Sequence, residues 1–163
     1  MLEPVVVADS GPLIALATIG HLELLRQLHQ EVLVPEAVFG EVVGTSASRP
    51  GAQQVAAARW LQRVAVLPPP DPLLLEALGL GEAEAIALAI RRGDALVLID
   101  ETEGRRVAQT IYRLRVRGIV GTLAKAKEHQ LVSAVRPLLE MLVGNGYRLA
   151  PSLVDRVCRA CGE

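Results

Sequence analysis

Residues 5–9 read VVVAD and residues 95–100 read ALVLID, and these two stretches determine the fold that the sequence predicts. Each is a short apolar run that ends in an aspartate. A run that is apolar on both faces is typical of a central strand in a parallel sheet, which helices cover on each side. Residues 32–34 and 118–120 are candidates for further strands. Because helical patterns lie between these strands, the sequence predicts an α/β protein, a three-layer α/β/α sandwich with a central parallel sheet.

The chain length of 163 residues fits one domain, residues 1–163. Two stretches rich in turn residues and proline, 44–51 and 67–72, interrupt the pattern. We expect a helical excursion over about residues 46–72 and additional helices over about residues 122–163. The helical patterns before residue 122 run from Pro12 to about Leu28, from Pro35 to Val43, from Gln53 to Val64, from Glu82 to Arg92 and from Glu103 to Leu114.

Composition and charge exclude several classes of protein. Hydrophobic residues make up 51% and the formal net charge is -1, so the chain can form a core and lacks the strong positive balance of a non-specific nucleic-acid-coating protein. Residues 1–75 hold 4 basic and 7 acidic side chains, whereas residues 76–163 hold 13 basic and 11 acidic ones. A cationic face should therefore come from the second half. No apolar stretch is long enough to span a bilayer, and the sequence begins without the positively charged region of a secretory signal. We therefore expect a cytoplasmic protein without a membrane partner.

Asp9 and Asp100 each follow a predicted central strand. Parallel strands end at the same edge of the sheet, which is where open α/β sheets bind their ligands. Two like charges at that edge raise each other's pKa unless a cation lies between them. Helix capping is the alternative: Asp9 or Ser10 could precede the helix that starts near Pro12, and Asp100 with Glu103 fits a D-x-x-E capping box.

Further acids lie near the starts of two helices. In the sequence GEAEA, Glu82 and Glu84 point to nearly opposite sides of a helix, so they cannot share one role. Either could be a solvated acid in the first turn, favoured by the helix dipole. Glu41 lies on the predicted helix after the candidate strand 32–34, and its local sequence alone indicates a surface glutamate. A cluster that contains only carboxylates is suited to bind Mg²⁺ or Mn²⁺. No set of His and Cys residues in the sequence indicates a zinc site.

Taken in order, five segments of the chain resemble the PIN-domain superfamily, and the resemblance spans nearly the whole sequence. It is similar in particular to a prokaryotic branch of predicted nucleic-acid-binding PIN proteins related to VapC-like toxin ribonucleases. The segments are ADSGPLIALATIG (8–20), VLVPEAVFGEV (32–42), LGLGEAEAIALAI (78–90), LVLIDETEGRRVA (96–108) and GIVGTLAKAKEHQL (118–131).

The resemblance implies an acid set that binds Mg²⁺ or Mn²⁺ and cleaves RNA. By position, the first to fourth acids of that set would be Asp9, Glu41, Glu82 and Asp100. The third acid is an aspartate in most relatives, so the glutamate here is a departure that could alter metal affinity. Supporting positions would be Ser10, which could bind a carboxylate or a metal-bound water, Glu84 as the alternative to Glu82, and Glu101 or Glu103 beside Asp100.

The implied function is a metal-dependent endoribonuclease that hydrolyses RNA phosphodiester bonds, such as the toxin of a toxin–antitoxin pair. Such toxins form homodimers and are silenced by an antitoxin protein; the contact here would come from the segment around Trp60 or the last helices. One alternative is a catalytically weak or inactive PIN module that binds nucleic acid or a partner. A phosphatase with Asp9 as nucleophile is disfavoured, because no second aspartate follows two residues later. Candidate phosphate contacts, or else solvated helix faces, are Arg105, Arg106, Lys125 and Lys127.

Overall fold

The computed structural model describes residues 2–44 and 49–163. Its centre is one sheet of five strands, all parallel, in the order β3-β2-β1-β4-β5. The fold is therefore α/β with a central parallel sheet, as the sequence predicted. The strands are β1 (Glu3–Ala8), β2 (His29–Pro35), β3 (Gln62–Val64), β4 (Ala95–Leu98) and β5 (Arg115–Arg117).

Helices connect the strands and extend beyond the last one. The helix over Thr102–Arg106 continues into a π-helical turn at Val107–Ile111. No helix in the described ranges has both the length and the apolar character that crossing a membrane requires. The helices are α1 (Ser10–Thr18), α2 (Leu24–Leu28), α3 (Glu36–Val43), α4 (Ala52–Ala57), α5 (Pro72–Ala77), α6 (Leu80–Arg92), α7 (Thr102–Arg106), α8 (Ile119–Glu128), α9 (Arg136–Gly144) and α10 (Pro151–Ala160).

The two central strands bury both of their faces. In β1, Val6 and Ala8 belong to a core with α1, α2, α3, α8 and α9. Val5 and Val7 belong to a second core on the other face, with α5 and α6. Because successive side chains of a strand point to opposite faces, a strand between two helical layers must be apolar at every position. This is why VVVA and ALVL are continuous apolar runs.

The edge strands differ from the sequence prediction. The predicted helix over 53–64 ends at Ala57, and Gln62–Val64 instead form β3, which pairs with β2. The predicted strand at 118–120 lies three residues earlier, at β5, and Ile119 begins helix α8. Both edge strands have three residues and two partly or fully exposed polar side chains. They therefore lack the apolar run by which a central strand is recognised.

The helical regions also differ in detail. The predicted helix over 12–28 is two helices, α1 and α2, separated near Gly20, whose φ of 72° ends the first. Helix α5 begins at Pro72, the last residue of the proline-rich stretch 67–72, and Asp71 caps it by accepting a hydrogen bond from the Leu73 amide at 2.8 Å. Of the predicted excursion over 46–72, residues 46–48 lie outside the described residues. The single-domain organisation stays a prediction.

Candidate active site at the carboxyl edge of the sheet

Asp9 is the first residue after β1 and is 4% exposed. Its amide donates a hydrogen bond to the Leu98 carbonyl at 3.0 Å, which extends the pairing of β1 with β4 by one residue. Asp9 stands at the N-cap position of α1, but its side chain makes no capping hydrogen bond. Its Oδ1 is buried and has no hydrogen-bond partner in the described part of the chain. Capping therefore does not account for this carboxylate.

The surroundings of Asp9 disfavour its charged form. Burial raises the pKa of Asp9 to about 6, and the Ser10 backbone opposes this effect by hydrogen bonding. The negative charges of Glu41, Asp100 and Glu101 raise this pKa further. Asp9 and Asp100 follow the adjacent strands β1 and β4 at the carboxyl edge of the sheet, and Glu41 and Glu101 lie near enough for their charges to act on Asp9. Ser10 itself is the first residue of α1 and is half-buried.

Asp100 lies beyond the end of β4 and has one satisfied and one unsatisfied oxygen. Oδ1 accepts a hydrogen bond from the Ile119 amide, at the start of α8, at 2.9 Å. Oδ2 is buried and has no bonded partner among the residues described. Burial raises the pKa of Asp100, while the nearby Tyr147 hydroxyl, the Ile119 amide and the Arg105 guanidinium lower it. Asp100 therefore has, like Asp9, one buried oxygen without a well-formed hydrogen bond, although the Tyr147 hydroxyl lies near its carboxylate.

Glu82 lies in the first turn of α6 and interacts electrostatically with Asp9 and its neighbouring acids. Burial raises its pKa to about 7, and the charges of Asp9, Glu101 and Glu41 add to the increase. The pKa shifts of Asp9 and Glu82 arise partly from the same neighbours, so both belong to one electrostatic cluster. Asp9 and Asp100 thus follow adjacent strands at one edge of the sheet, and Glu82 lies near enough for the charge of Asp9 to act on it.

Glu84 has a different role. Its Oε2 accepts a hydrogen bond from the Ala37 amide in the first turn of α3 at 3.0 Å. A carboxylate on an N-terminal amide satisfies a donor that the helix itself leaves free. Glu84 therefore fastens α6 to α3, and of the two glutamates in GEAEA only Glu82 joins the acid cluster.

Glu41, at the end of α3, reaches the first turn of α6. Its Oε1 accepts a hydrogen bond from the Gly81 amide at 3.1 Å. The residue is exposed, in agreement with a surface glutamate, but its carboxylate is held against another helix. Its charge acts on both Asp9 and Glu82.

The two acids that follow Asp100, Glu101 and Glu103, have different partners. Glu101 caps α7 by accepting hydrogen bonds from the Glu103 and Gly104 amides at 2.9 and 3.1 Å. The predicted capping box of Asp100 with Glu103 is therefore wrong by one residue, because the Asp100 carboxylate turns to α8. Glu103 forms an exposed ion pair with Arg106 at 2.6 Å and does not face the other acids.

Arg105 is the candidate phosphate contact that lies beside the acids. Its Nη1 donates to the Ile99 carbonyl at 2.9 Å. With Asp100 and Glu101, Arg105 lines a cavity of about 1020 Å³ that opens next to the cluster. Among the residues that the structure describes, Arg105 forms no ion pair within 4.0 Å. Its charge nevertheless acts on Asp100, whose pKa it lowers, so Arg105 lies between this carboxylate and the cavity as a candidate ligand contact.

Lys125 and Lys127 lie away from this cavity. Lys125 pairs with Glu128 at 3.1 Å. Lys127 donates to the Ser133 carbonyl and lies 3.5 Å from Glu163. Both lysines line a separate hollow of about 560 Å³. The structure thus brings neither lysine to the acid cluster.

Two residues of the cavity wall were missed by sequence analysis. Tyr147 and Arg148 lie between α9 and α10 and line the same cavity as Asp100. The Tyr147 amide is anchored to the Leu142 carbonyl at 2.9 Å. Burial of the hydroxyl, and after it the proximity of Asp100, raises the pKa of Tyr147. No local signal predicted this contact, because it joins positions 47 residues apart.

The donor chemistry of the cluster fits a hard divalent cation. Its side chains offer oxygen only, and the buried Asp9 Oδ1 and Asp100 Oδ2 lack donors. A buried carboxylate oxygen without a partner is costly, and a cation would satisfy it. Across residues 2–44 and 49–163, however, no three His, Cys, Asp or Glu side chains form a ready-made metal-binding group. Binding would therefore require these side chains to close on the ion.

Comparison with known proteins gives one match. The family profile DUF3368, described as a PIN domain, covers residues 5–163, almost the full chain. No curated protein and no solved structure matches the chain at a significant level.

Proposed function

Because the chain belongs to the PIN-domain family DUF3368, we propose that it is a metal-dependent endoribonuclease that hydrolyses RNA phosphodiester bonds. The family indicates a nuclease-type function and a divalent metal in general. The observation that carries the proposal is the pair of strand-end aspartates, Asp9 and Asp100, each of which has one buried oxygen without a hydrogen bond from the described residues. Buried, unsatisfied acids with raised pKa values are typical of functional sites.

Asp9, Glu82 and Asp100 would hold Mg²⁺ or Mn²⁺, with Glu41 and Glu101 beside them. When bound, the metal would supply a Lewis acid that activates water and neutralises charge on the phosphate. The carboxylates orient this chemistry at the edge of the sheet. Arg105, in the adjoining cavity, would bind a phosphate of the RNA by charge-assisted hydrogen bonds.

Cleavage of a labelled single-stranded RNA tests this proposal. We expect cleavage by the wild-type protein with Mg²⁺ or Mn²⁺, none with EDTA, and a loss of at least about 100-fold in Asp100→Asn. Asp94→Asn is the matched control, because Asp94 is an exposed aspartate just before β4, at the opposite edge of the sheet. Circular dichroism checks that each variant is folded. Equal cleavage by the wild-type protein and Asp100→Asn would contradict the proposal.

The second candidate is a catalytically weak PIN module that binds RNA or a protein partner. The lack of a ready-made metal-binding group in the described ranges favours it, as does the glutamate at the third acid position. RNA binding by the wild-type protein without metal-stimulated cleavage would select this alternative.

The proposal extends to the partners. We propose a cytoplasmic toxin that forms a homodimer through the segment around Trp60 or through α9 and α10, and that an antitoxin protein silences. Light scattering at micromolar concentration measures the mass of the particle. A mass equal to one chain of 17.4 kDa would exclude the homodimer.

A further inference from the structure

We propose that three glycines near the starts of helices α6, α7 and α8 are positioning residues for three of the acids. Each leaves open the space that one carboxylate occupies. The inference rests on the proposed function, and it assigns roles to residues that bear no functional group. The pairs are Gly118 with Asp100, Gly81 with Glu41, and Gly104 with Glu82.

Gly118 lies directly against the carboxylate of Asp100. A Cβ atom at this position would lie 2.6 Å from Asp100 Oδ1 and 2.9 Å from Arg105 Nη1. The φ of Gly118 is -98°, which any residue adopts, so the space and not the backbone requires glycine here. Asp100 Oδ1 also accepts the Ile119 amide hydrogen bond, at the next residue. An alanine at 118 would therefore push the carboxylate off this amide.

Gly81 has the same relationship to Glu41. A Cβ atom would lie 2.5 Å from Glu41 Oε1 and 2.8 Å from Oε2. Oε1 accepts the hydrogen bond of the Gly81 amide itself. Because the atoms in the way are the end of a flexible side chain, an alanine would displace the carboxylate and leave the helices in place.

Gly104 fits less closely. A Cβ atom would lie 3.1 Å from Glu82 Oε2 and 3.2 Å from Ile99 Cγ2. The neighbours would have to move by a few tenths of an ångström, so alanine at 104 should disturb Glu82 less than alanine at 118 disturbs Asp100. Gly40 is a matched control, because a Cβ atom there meets nothing within 4 Å and the residue directly precedes Glu41.

The first experiment measures Mn²⁺ binding to the full chain by isothermal titration calorimetry. We expect Gly118→Ala and Gly81→Ala to weaken binding by about 10- to 100-fold, which is the range for loss of groups that orient metal ligands. Gly104→Ala should weaken it less, and Gly40→Ala should bind like the wild-type protein. Unchanged affinity in Gly118→Ala would overturn the proposal.

The second experiment needs no metal and separates this proposal from the proposed function. Urea unfolding without divalent ions is compared for Gly118→Ala in the wild-type and Asp100→Ala backgrounds. We expect Gly118→Ala to lower the urea midpoint in the wild-type background and to lower it less where the carboxylate is absent, because only the end of the Arg105 side chain then lies within 3 Å of the added Cβ. The same shift in both backgrounds would show that Gly118 does not position Asp100. Absence of Mn²⁺ binding by the wild-type protein, together with the expected urea result, would instead contradict the proposed function.

Discussion

The Asp9 amide donates to the Leu98 carbonyl at 3.0 Å, so a hydrogen bond of the sheet holds the first residue after β1 against the end of β4. This bond fixes the Asp9 backbone beside the chain that leads to Asp100. It also keeps the Asp9 carboxylate in a buried position where its Oδ1 has no donor in the described structure. Such an arrangement reduces the stability of the fold when the carboxylate is ionised and no cation is bound.

Asp9→Asn should therefore stabilise the metal-free protein. The pKa of Asp9 is raised from 3.8 to about 6, so its ionisation at pH 8 costs the folded state about 3 kcal/mol. We expect Asp9→Asn to raise the free energy of unfolding at pH 8 by up to this amount and to change it little at pH 4. Urea unfolding at the two pH values measures the difference. A variant less stable than the wild-type protein at pH 8 would refute this prediction.

Asp9 and Glu82 should lower the stability of the metal-free wild-type protein as the pH rises from about 4 to about 8, and buried His29, whose pKa is lowered from 6.5 to about 4, opposes them in the lower part of this interval. The pKa of Asp9 is raised to about 6 and that of Glu82 to about 7, so the folded state retains these protons to a higher pH than the unfolded chain. Since the folded state then binds more protons, raising the pH through this interval favours unfolding. Mn²⁺ affinity should strengthen over the same interval, because the ion competes with these protons. Calorimetric titrations at pH 5.5 and pH 8 that gave equal affinities would contradict the second part.

The sequence was sufficient to predict β1, β4 and the acids that follow them, because a strand buried on both faces has a distinctive apolar run. It was not sufficient for β3 and β5, whose polar side chains lie at the sheet edges. Helical geometry separated Glu82 from Glu84, but which of them faces the acids depends on how α6 packs against α3, and no local pattern contains that information. The contact of Tyr147 with the cavity beside Asp100 is equally a product of tertiary packing.

Glu82→Gln and Glu84→Gln should affect different properties. Glu82 lies in the acid cluster, so its amide variant should lose metal-dependent cleavage while the metal-free fold becomes more stable above pH 7. Glu84 caps α3 through the Ala37 amide at 3.0 Å. Its amide keeps an acceptor but loses the charge, so Glu84→Gln should lower the free energy of unfolding by about 1 kcal/mol or less and retain cleavage. Urea unfolding and RNA cleavage of both variants measure the two effects, and an inactive Glu84→Gln would reverse the assignment.

Arg105→Ala and Arg106→Ala should differ in RNA binding, although the two residues are adjacent. Arg105 lines the cavity beside Asp100, whereas Arg106 forms an exposed pair with Glu103 at 2.6 Å. Arg106 is not among the residues that line this cavity, so Arg106→Ala should leave KM for RNA nearly unchanged, and loss of its exposed pair should cost at most about 1 kcal/mol of stability. Arg105→Ala should raise KM.

If Arg105 binds one phosphate of a single strand, the slope of log affinity against log salt concentration should decrease by about 0.7 in this variant. The slope distinguishes a phosphate contact from a change in packing, because loss of the hydrogen bond to Ile99 alone would not alter it; an unchanged slope in Arg105→Ala would exclude the phosphate contact.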